Sequence, residues 1–571
     1  VVAPGGSLEG SWTGQMLDLG GMATEAELCP PGRPESLDAG TLPLGRYAWG
    51  YPADGAASNG AGTRDGRRLH LGRFGDEPMQ YRGTLVCAPP GAGKTELILR
   101  WAVAAIAQGQ SVLVVDVKGG LKDEIVRRLE HAGARLPAAT FFFSTNPEPG
   151  TFSDRINFLA GLDATTPVGR VELEQVARAI LPSDGFDQGE ELRLYQNRLA
   201  YLTAMLGLVS LRRDYEPHPD GRDYDLSDVH ALAAREQTLY DWITRVAGLE
   251  ARRRAAGQEP HEPGLRHWFD ELAILLRGEW RVGAGEDAGV LVGQRADRDP
   301  YRYFTQGIVN ALEPFAARGV LGRKVSGAPL RRGDGVFFRL DQLLEPAQVV
   351  MILEARELDV GSAEAVVSLA VTHLQLLLNR RHGQAGARPI LLLLDETARL
   401  RGFDAKKYVA LCRSAQAGVV LVYQQLEQIA RRSGEERTVS ELLENVGTQI
   451  YLGSLAGRNY ELFSAQRGTR WQSSFTRTAG ARSSHREQQI TQVERSDVPL
   501  FARIPAGRFP ALVYIRDHPC HKPFLVDLDR DDPAAPRDTA PDPADPGRLS
   551  LPPTARRLLA DAARRGGQPG G

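Results

Sequence analysis

The sequence predicts an α/β fold on a mainly parallel sheet, interrupted by an inserted all-α domain, and three observations predict it. Residues Ala88 to Thr95 read Ala-Pro-Pro-Gly-Ala-Gly-Lys-Thr, placed between a short apolar run and a helical pattern. The near-continuous Val and Leu of Ser111 to Val117 and of Pro389 to Asp395 have the length and composition of strands buried on both faces. Between those two runs, from about Asp163 to Gly335, strand signals give way to long helical stretches and polar loops.

Taken in order, residues 1–66 are rich in Gly, Ala and Pro and read as a poorly structured arm, with Tyr47, Trp49 and Tyr51 marking a short segment that packs on something. A first part of the core, 67–162, opens with a strand at Arg68 to Phe74. A strand at Gly83 to Cys87, a helix from near Thr95 and the strand Ser111 to Val117 follow. Strand, helix, strand in that order means a parallel pair. The insertion, 163–334, carries helical patterns at Glu190 to Arg213, Leu232 to Arg254 and Leu265 to Leu276, separated by Gly/Pro-rich loops. Strand signals resume over 335–530 at Gly335 to Leu340, Gln348 to Ala355, Pro389 to Asp395, Gly418 to Gln424, Gln449 to Leu452 and Ala511 to Arg516, with a helix at Ala363 to Arg380. The sheet is therefore begun before the insertion and completed after it. Residues 531–571 turn to Asp, Pro, Ala and Arg, the composition of a disordered tail.

Composition narrows the class. A chain of 571 residues, 42% hydrophobic and 25% charged, buries a large core in two or three units. Net charge is −2, so any nucleic-acid surface must be a local patch or channel. Cys29, Cys87, Cys412 and Cys520 lack C-x-x-C spacing, which argues against a zinc site or a disulfide framework and for a reducing cytoplasm. His518, Cys520 and His521 lie close together but have no second cluster to complete a metal site. No stretch approaches the roughly 18 apolar residues that cross a bilayer, and no signal peptide is visible after Val1. The expectation is a cytoplasmic chain, peripheral at the inner membrane only through partners.

The chemistry starts at the glycine-rich loop. Pro90, Gly91, Ala92 and Gly93 let backbone amides converge on phosphates, the Lys94 ammonium reaches the β and γ oxygens, and the Thr95 hydroxyl ligates Mg²⁺. The following helix adds its positive end. Ala88 stands where the pattern asks for its first Gly, a mild change because that position makes a turn more than a phosphate contact. ATP with Mg²⁺ is the expected ligand. Ile390 to Leu394 run straight into Asp395 and Glu396, so a buried strand delivers two carboxylates to the sheet edge where a metal and an attacking water belong. Asp395 would hold the metal shell and Glu396 would orient or deprotonate the water, although a helix-capping carboxylate has the same sequence appearance. Gln424 ends the run Val419 to Tyr423, where an amide can sense the γ-phosphate or simply close a strand. Asp116 and Lys118 end the strand after the first helix, to serve the same site or to pair with each other.

As an ordered set these residues resemble the VirD4/TraG/TraD-type conjugative coupling proteins of type IV secretion, which are related to the HerA and FtsK translocases. The resemblance rests on the phosphate loop, Val112 to Gly119, the acidic strand with Thr397 to Leu400 after it, Arg413, Ala417 to Val422 and Gln424 to Ile429, and it spans roughly residues 68 to 530. It implies a RecA-like P-loop motor that assembles as a homo-hexameric ring and hydrolyses ATP between subunits. It also implies that DNA moves through the centre and that the helical domain faces a relaxase or other cargo of a secretion channel. Arg413 would then be an arginine finger reaching the neighbouring subunit, or else a surface helix arginine. Two departures stand: such proteins usually carry N-terminal transmembrane helices absent here, and Pro90 occupies a position where Thr is commoner.

For DNA contact the best local candidate is Arg467 to Arg486, where Arg467, Arg470, Arg477 and Arg482 alternate with Trp471 and Phe475 and no acid intervenes. Arginines offset phosphate charge and aromatics stack on bases, while a solvated hairpin would look the same. The rival expectations are a soluble HerA-like translocase in repair or phage defence, and a nucleotide-gated adaptor that recruits cargo without being a motor.

Overall fold

The computed structural model describes residues 77–146, 152–181, 189–258, 300–316, 321–327, 335–355, 360–381, 388–400, 403–429, 436–453, 510–516 and 524–527. It also describes shorter pieces at 42–49, 68–71, 73–74, 268, 270–272, 279–282, 288–292, 469–480 and 483–494. The tail 531–571 and the cluster His518, Cys520 and His521 lie outside them.

In chain order the strands are β1 (Leu42–Trp49), β2 (Arg68–Leu71), β3 (Arg73–Phe74), β4 (Glu77–Pro78), β5 (Thr84–Cys87), β6 (Ser111–Asp116), β7 (Ala139–Ser144), β8 (Arg155–Ile156), β9 (Glu279–Val282), β10 (Ala288–Val292), β11 (Phe337–Phe338), β12 (Val349–Glu354), β13 (Ile390–Leu394), β14 (Ala417–Tyr423), β15 (Thr448–Leu452), β16 (Thr469–Gly480), β17 (Ser483–Glu494), β18 (Pro510–Ile515) and β19 (Phe524–Asp527). The helices used below are α1 (Lys94–Ala107), α2 (Leu121–His131), α3 (Pro167–Ile180), α4 (Gly189–Tyr215), α5 (Leu226–Ala234), α6 (Glu236–Ala255), α7 (Pro300–Leu312), α8 (Val360–Arg381), α9 (Ala405–Ser414) and α10 (Glu436–Asn445).

An 11-stranded sheet organises the molecule, in the order β2-β1-β19-β18-β15-β5-β14-β13-β6-β12-β7. From β15 to β7 every neighbouring pair is parallel; from β15 outward through β18, β19, β1 and β2 every pair is antiparallel. The parallel half is RecA-like: the strand before the phosphate loop, β5, is separated from the acidic strand β13 by the single strand β14.

Why these strands read as unbroken apolar runs is visible in their two faces. Leu113, Val115, Leu392, Leu394, Val419 and Leu421 pack with α3, α8, α9 and the insertion, whereas Val112, Val114, Leu391, Leu393, Val420 and Val422 pack against α1 and α2. Successive side chains point to opposite faces, so a strand covered on both sides has no position left for a polar residue. On one face of α1, Leu97, Ile98, Trp101 and Ala105 provide that cover.

The insertion begins after β8 and ends before β11, two short strands that pair in parallel. Arg155 fastens the junction, its guanidinium donating to the Arg323 carbonyl at 2.8 Å and to the Ser326 carbonyl and hydroxyl at 2.9 Å each. Helices α3 to α7 fill the insertion, but β9 and β10 form an antiparallel hairpin within it, so it is mainly helical and not purely so. The expected helix Leu232 to Arg254 is two helices. Arg235 takes an extended conformation (φ −141°, ψ 115°) between them, while α5 is closed upstream by a capping box of Asp225 and Asp228. The arm of residues 1–66 supplies β1, which joins the sheet between β2 and β19 through a bulged register that accommodates Pro43 and Gly45. Among the described residues no helix is long and apolar enough to cross a membrane.

Candidate active site

The site forms where parallel strands end. Strands β5, β14, β13 and β6 are parallel, with Cys87 opposite Tyr423, Leu394 opposite Val115 and Leu394 opposite Leu421, so β5 and β14 run two residues further than β13 and all four end at one edge of the sheet. Ala88 is fully buried and its amide donates to the Tyr423 carbonyl at 2.9 Å, tying the start of the phosphate loop to β14. The Ala88 methyl is packed in the core beneath the loop, so an alanine is accommodated where a Gly is usual. Gly91 and Gly93 adopt left-handed φ of 80° and 97°, which turn the chain into α1 at the cost that only glycine escapes. The first turn of α1 carries no side-chain cap. Pro90, Gly91 and Thr95 are exposed. Behind them, Arg128 of α2 grips Glu96 with two bonds of 2.8 and 2.7 Å, which fixes the first turn of α1.

Lys94, Glu396 and Gln424, which the sequence separates widely, meet here. The Lys94 ammonium donates to Glu396 Oε1 at 3.0 Å, and Gln424 Nε2 reaches both Glu396 oxygens at 2.7 and 2.9 Å. Lys118 approaches the same Oε1 at 3.4 Å. Glu396 is 3% exposed. Burial pushes its carboxyl up, but the Gln424 amide and the two lysines outweigh burial and hold it below the usual carboxylate range. Its backbone is left-handed, φ 51° and ψ 44°, which costs a glutamate on the order of 1–3 kcal/mol and is held by the surrounding bonds. Thr397 supplies one of them: its hydroxyl donates to the Leu394 carbonyl at 2.9 Å and accepts from the Val422 amide at 3.1 Å, pinning the turn between β13 and β14.

Asp395 differs from its neighbour. Its backbone amide donates to Val115, its Oδ1 accepts from the Glu396 amide at 3.0 Å, and it is 5% exposed. Burial, with Glu396 and Asp116 nearby, pushes its carboxyl up to about 6 against the pull of Lys94 and Lys118. A buried carboxylate so destabilised is a site that a cation relieves. Among the described residues no three His, Cys, Asp or Glu are grouped as a metal cage. Mg²⁺ needs none, since one or two carboxylates, a hydroxyl, phosphate oxygens and water complete its octahedron. Asp395 and Thr95 are thus fitted to Mg²⁺ brought in with a nucleotide.

Asp116 does not reach the carboxylate pair as a ligand. Its Oδ1 accepts from the Lys118 and Gly119 amides and its Oδ2 from the Leu121 amide, so it caps α2 and shapes the turn that presents Lys118. Gln428 does the same for Gln424, its Oε1 accepting from the Gln424 amide at 3.1 Å. Gly453, just past β15 with φ 74°, lies against the phosphate loop, where an added Cβ would meet Ala92 Cβ at 3.1 Å. The bond from Val422 to Thr397 and the approach of Gly453 to Ala92 are not written in local sequence, because each joins elements far apart in the chain, whereas the Gln428 contact spans only four residues.

Two groups of candidates are not brought to the site. Arg413 is exposed at the end of α9, beside the start of β13: the Gln416 amide bonds to Arg413 and the Ile390 amide to Gln416. Glu396 lies beyond the other end of that five-residue strand, so roughly 15 Å of strand separates them at about 3.3 Å per residue. Arg413 therefore cannot serve the site of its own chain. Arg470, Trp471 and Arg477 lie on β16, which pairs with β17 in an unbroken ladder from Thr469↔Glu494 to Gly480↔Ser483, with Arg477 opposite Arg486. Arg467 and Arg482 lie outside the described residues.

Residues 389–503, from the acidic strand through the hairpin, match the family model described as the TraM recognition site of TraD and TraG. The match takes in the acidic strand, Arg413, Ala417 to Val422 and Gln424 to Ile429, and leaves the phosphate loop and Val112 to Gly119 outside it. No curated protein matches the chain. Solved structures similar to it include the bacterial conjugative coupling protein TrwBΔN70 in its unbound monoclinic form, 15% identical over 81% of this chain and 88% of that one, with a TM-score of 0.49. The plasmid coupling protein TrwB with the non-hydrolysable analogue ADPNP is 15% identical over 80% and 87%, TM-score 0.49. VirB4 of Thermoanaerobacter pseudethanolicus is 12% identical over 82% and 99%, TM-score 0.41.

Proposed function

We propose that this chain is an ATP-hydrolysing, DNA-translocating motor of the conjugative coupling-protein type, acting as a homo-hexamer that delivers DNA or a nucleoprotein to a type IV secretion channel. The observation that carries the reading is the meeting of Lys94, Asp395, Glu396 and Gln424 at one edge of a RecA-like sheet, the last three of them in the segment that matches a coupling-protein family model. Lys94 and the backbone amides of residues 91–95 bind the phosphates, Thr95 and Asp395 hold Mg²⁺, Glu396 takes the proton of the attacking water, and Gln424 registers the departure of the γ-phosphate. Bound Mg²⁺ supplies charge neutralisation at the β and γ oxygens. Arg413 completes the site from a neighbouring subunit, and relaxase or other secretion components present the cargo.

In this reading the β16–β17 hairpin binds DNA. Each arginine withdrawn from a phosphate should flatten the dependence of log affinity on log salt by roughly 0.7–0.9. Replacing Arg470, Arg477 and Arg482 together by Ala should weaken DNA binding and its salt dependence while leaving DNA-free ATPase unchanged; unaltered affinity across a salt titration removes the hairpin from the DNA path. The function as a whole is tested by the ATPase rate with and without DNA, alongside particle mass by mass photometry. Stimulation by DNA and a ring-sized particle are expected, and a monomer indifferent to DNA contradicts the motor.

A further inference from the structure

Among the described residues, Lys118 is the cation on Glu396 that comes from outside the phosphate loop. The turn that carries it is built with care: Asp116 accepts three backbone amides, and Gly119 and Gly120 take left-handed φ of 83° and 104°. The result is an ammonium whose side chain is 54% exposed, set 3.4 Å from a carboxylate that is 3% exposed. Lys94 donates to the same oxygen, at 3.0 Å.

Those two lysines have different futures when a nucleotide arrives. The phosphates draw the Lys94 ammonium away from Glu396, and a buried carboxylate stripped of its cation is strongly disfavoured. Among the described residues, only Lys118 is left as a cation on Glu396, with Gln424 as a neutral donor. We infer that Lys118 is a positioning residue that takes over the Glu396 carboxylate as Lys94 turns to the phosphates, keeping Glu396 oriented in the nucleotide-bound state. This inference rests on the nucleotide-site reading above, though not on turnover.

A double-mutant cycle on affinity for a non-hydrolysable ATP analogue isolates the effect. Lys118→Ala removes the replacement cation, so analogue binding should weaken about fivefold to tenfold, the low end of site-to-site coupling given the exposure of Lys118. In a Glu396→Gln background there is no charge to compensate, and Lys118→Ala should change affinity by less than about twofold. Lys118→Arg should restore binding in the parent background. An equal loss in both backgrounds would mean that Lys118 binds phosphate directly, and overturns the inference; so does unchanged affinity in Lys118→Ala, and so does an Arg variant as weak as the Ala variant. A parent protein that binds no analogue at all sinks the nucleotide-site reading instead, so the two failures are distinguishable.

Discussion

A ring assembled from Glu396→Gln and Arg413→Ala subunits should hydrolyse ATP although each variant alone is nearly inactive. Arg413 is exposed at the end of α9, on the opposite edge of the sheet from Lys94 and Glu396, so it can serve a site only in another subunit. An arginine that neutralises charge building up on the transferring phosphoryl contributes on the order of 10³–10⁵ in rate, so Arg413→Ala should bind ATP and turn over slowly. In mixed rings some interfaces pair an intact Glu396 from one variant with an intact Arg413 from the other. Those interfaces should be active. If subunits are shown to exchange and every mixing ratio gives only the weighted mean of the two inactive rates, Arg413 is a structural residue.

The second large effect separates binding from chemistry. Lys94→Ala should lose nucleotide affinity, because the ammonium contacts phosphate in ground and transition states alike. Glu396→Gln should retain ATP and lose turnover by on the order of 10² or more, because a glutamine keeps the bonds to Gln424 and Lys94 but cannot take a proton. Normal hydrolysis by purified Glu396→Gln would remove Glu396 from the reaction.

How far the sequence reaches depends on whether a residue's role is local. Val112 to Val115 and Ile390 to Leu394 announce themselves as central strands, because burial on both faces leaves an unbroken apolar run, and the acids after Leu394 stand out for the same reason. The glycines of the phosphate loop are legible because left-handed turns demand them. By contrast β1 hides behind Pro43 and Gly45, residues that a bulged strand near the sheet margin tolerates and a central strand does not. The break at Arg235 leaves helical periodicity nearly intact on both sides, so a single long helix is the natural expectation. For Lys118 the sequence leaves open whether it serves the site or pairs with Asp116, and it is the parallel register of β6 and β13 that sets its turn beside Glu396.

The central claim, that ATP turnover at this site moves DNA, is tested most directly by displacement of a bound obstacle. The purified chain would be mixed with duplex or single-stranded DNA carrying a third strand or a streptavidin block, with and without ATP, beside Glu396→Gln. The account predicts displacement that needs ATP and is abolished in Glu396→Gln, which still binds nucleotide. ATP hydrolysis at an ordinary rate with no displacement from either form of DNA would contradict it, and would leave a nucleotide-gated adaptor as the better description of the chain.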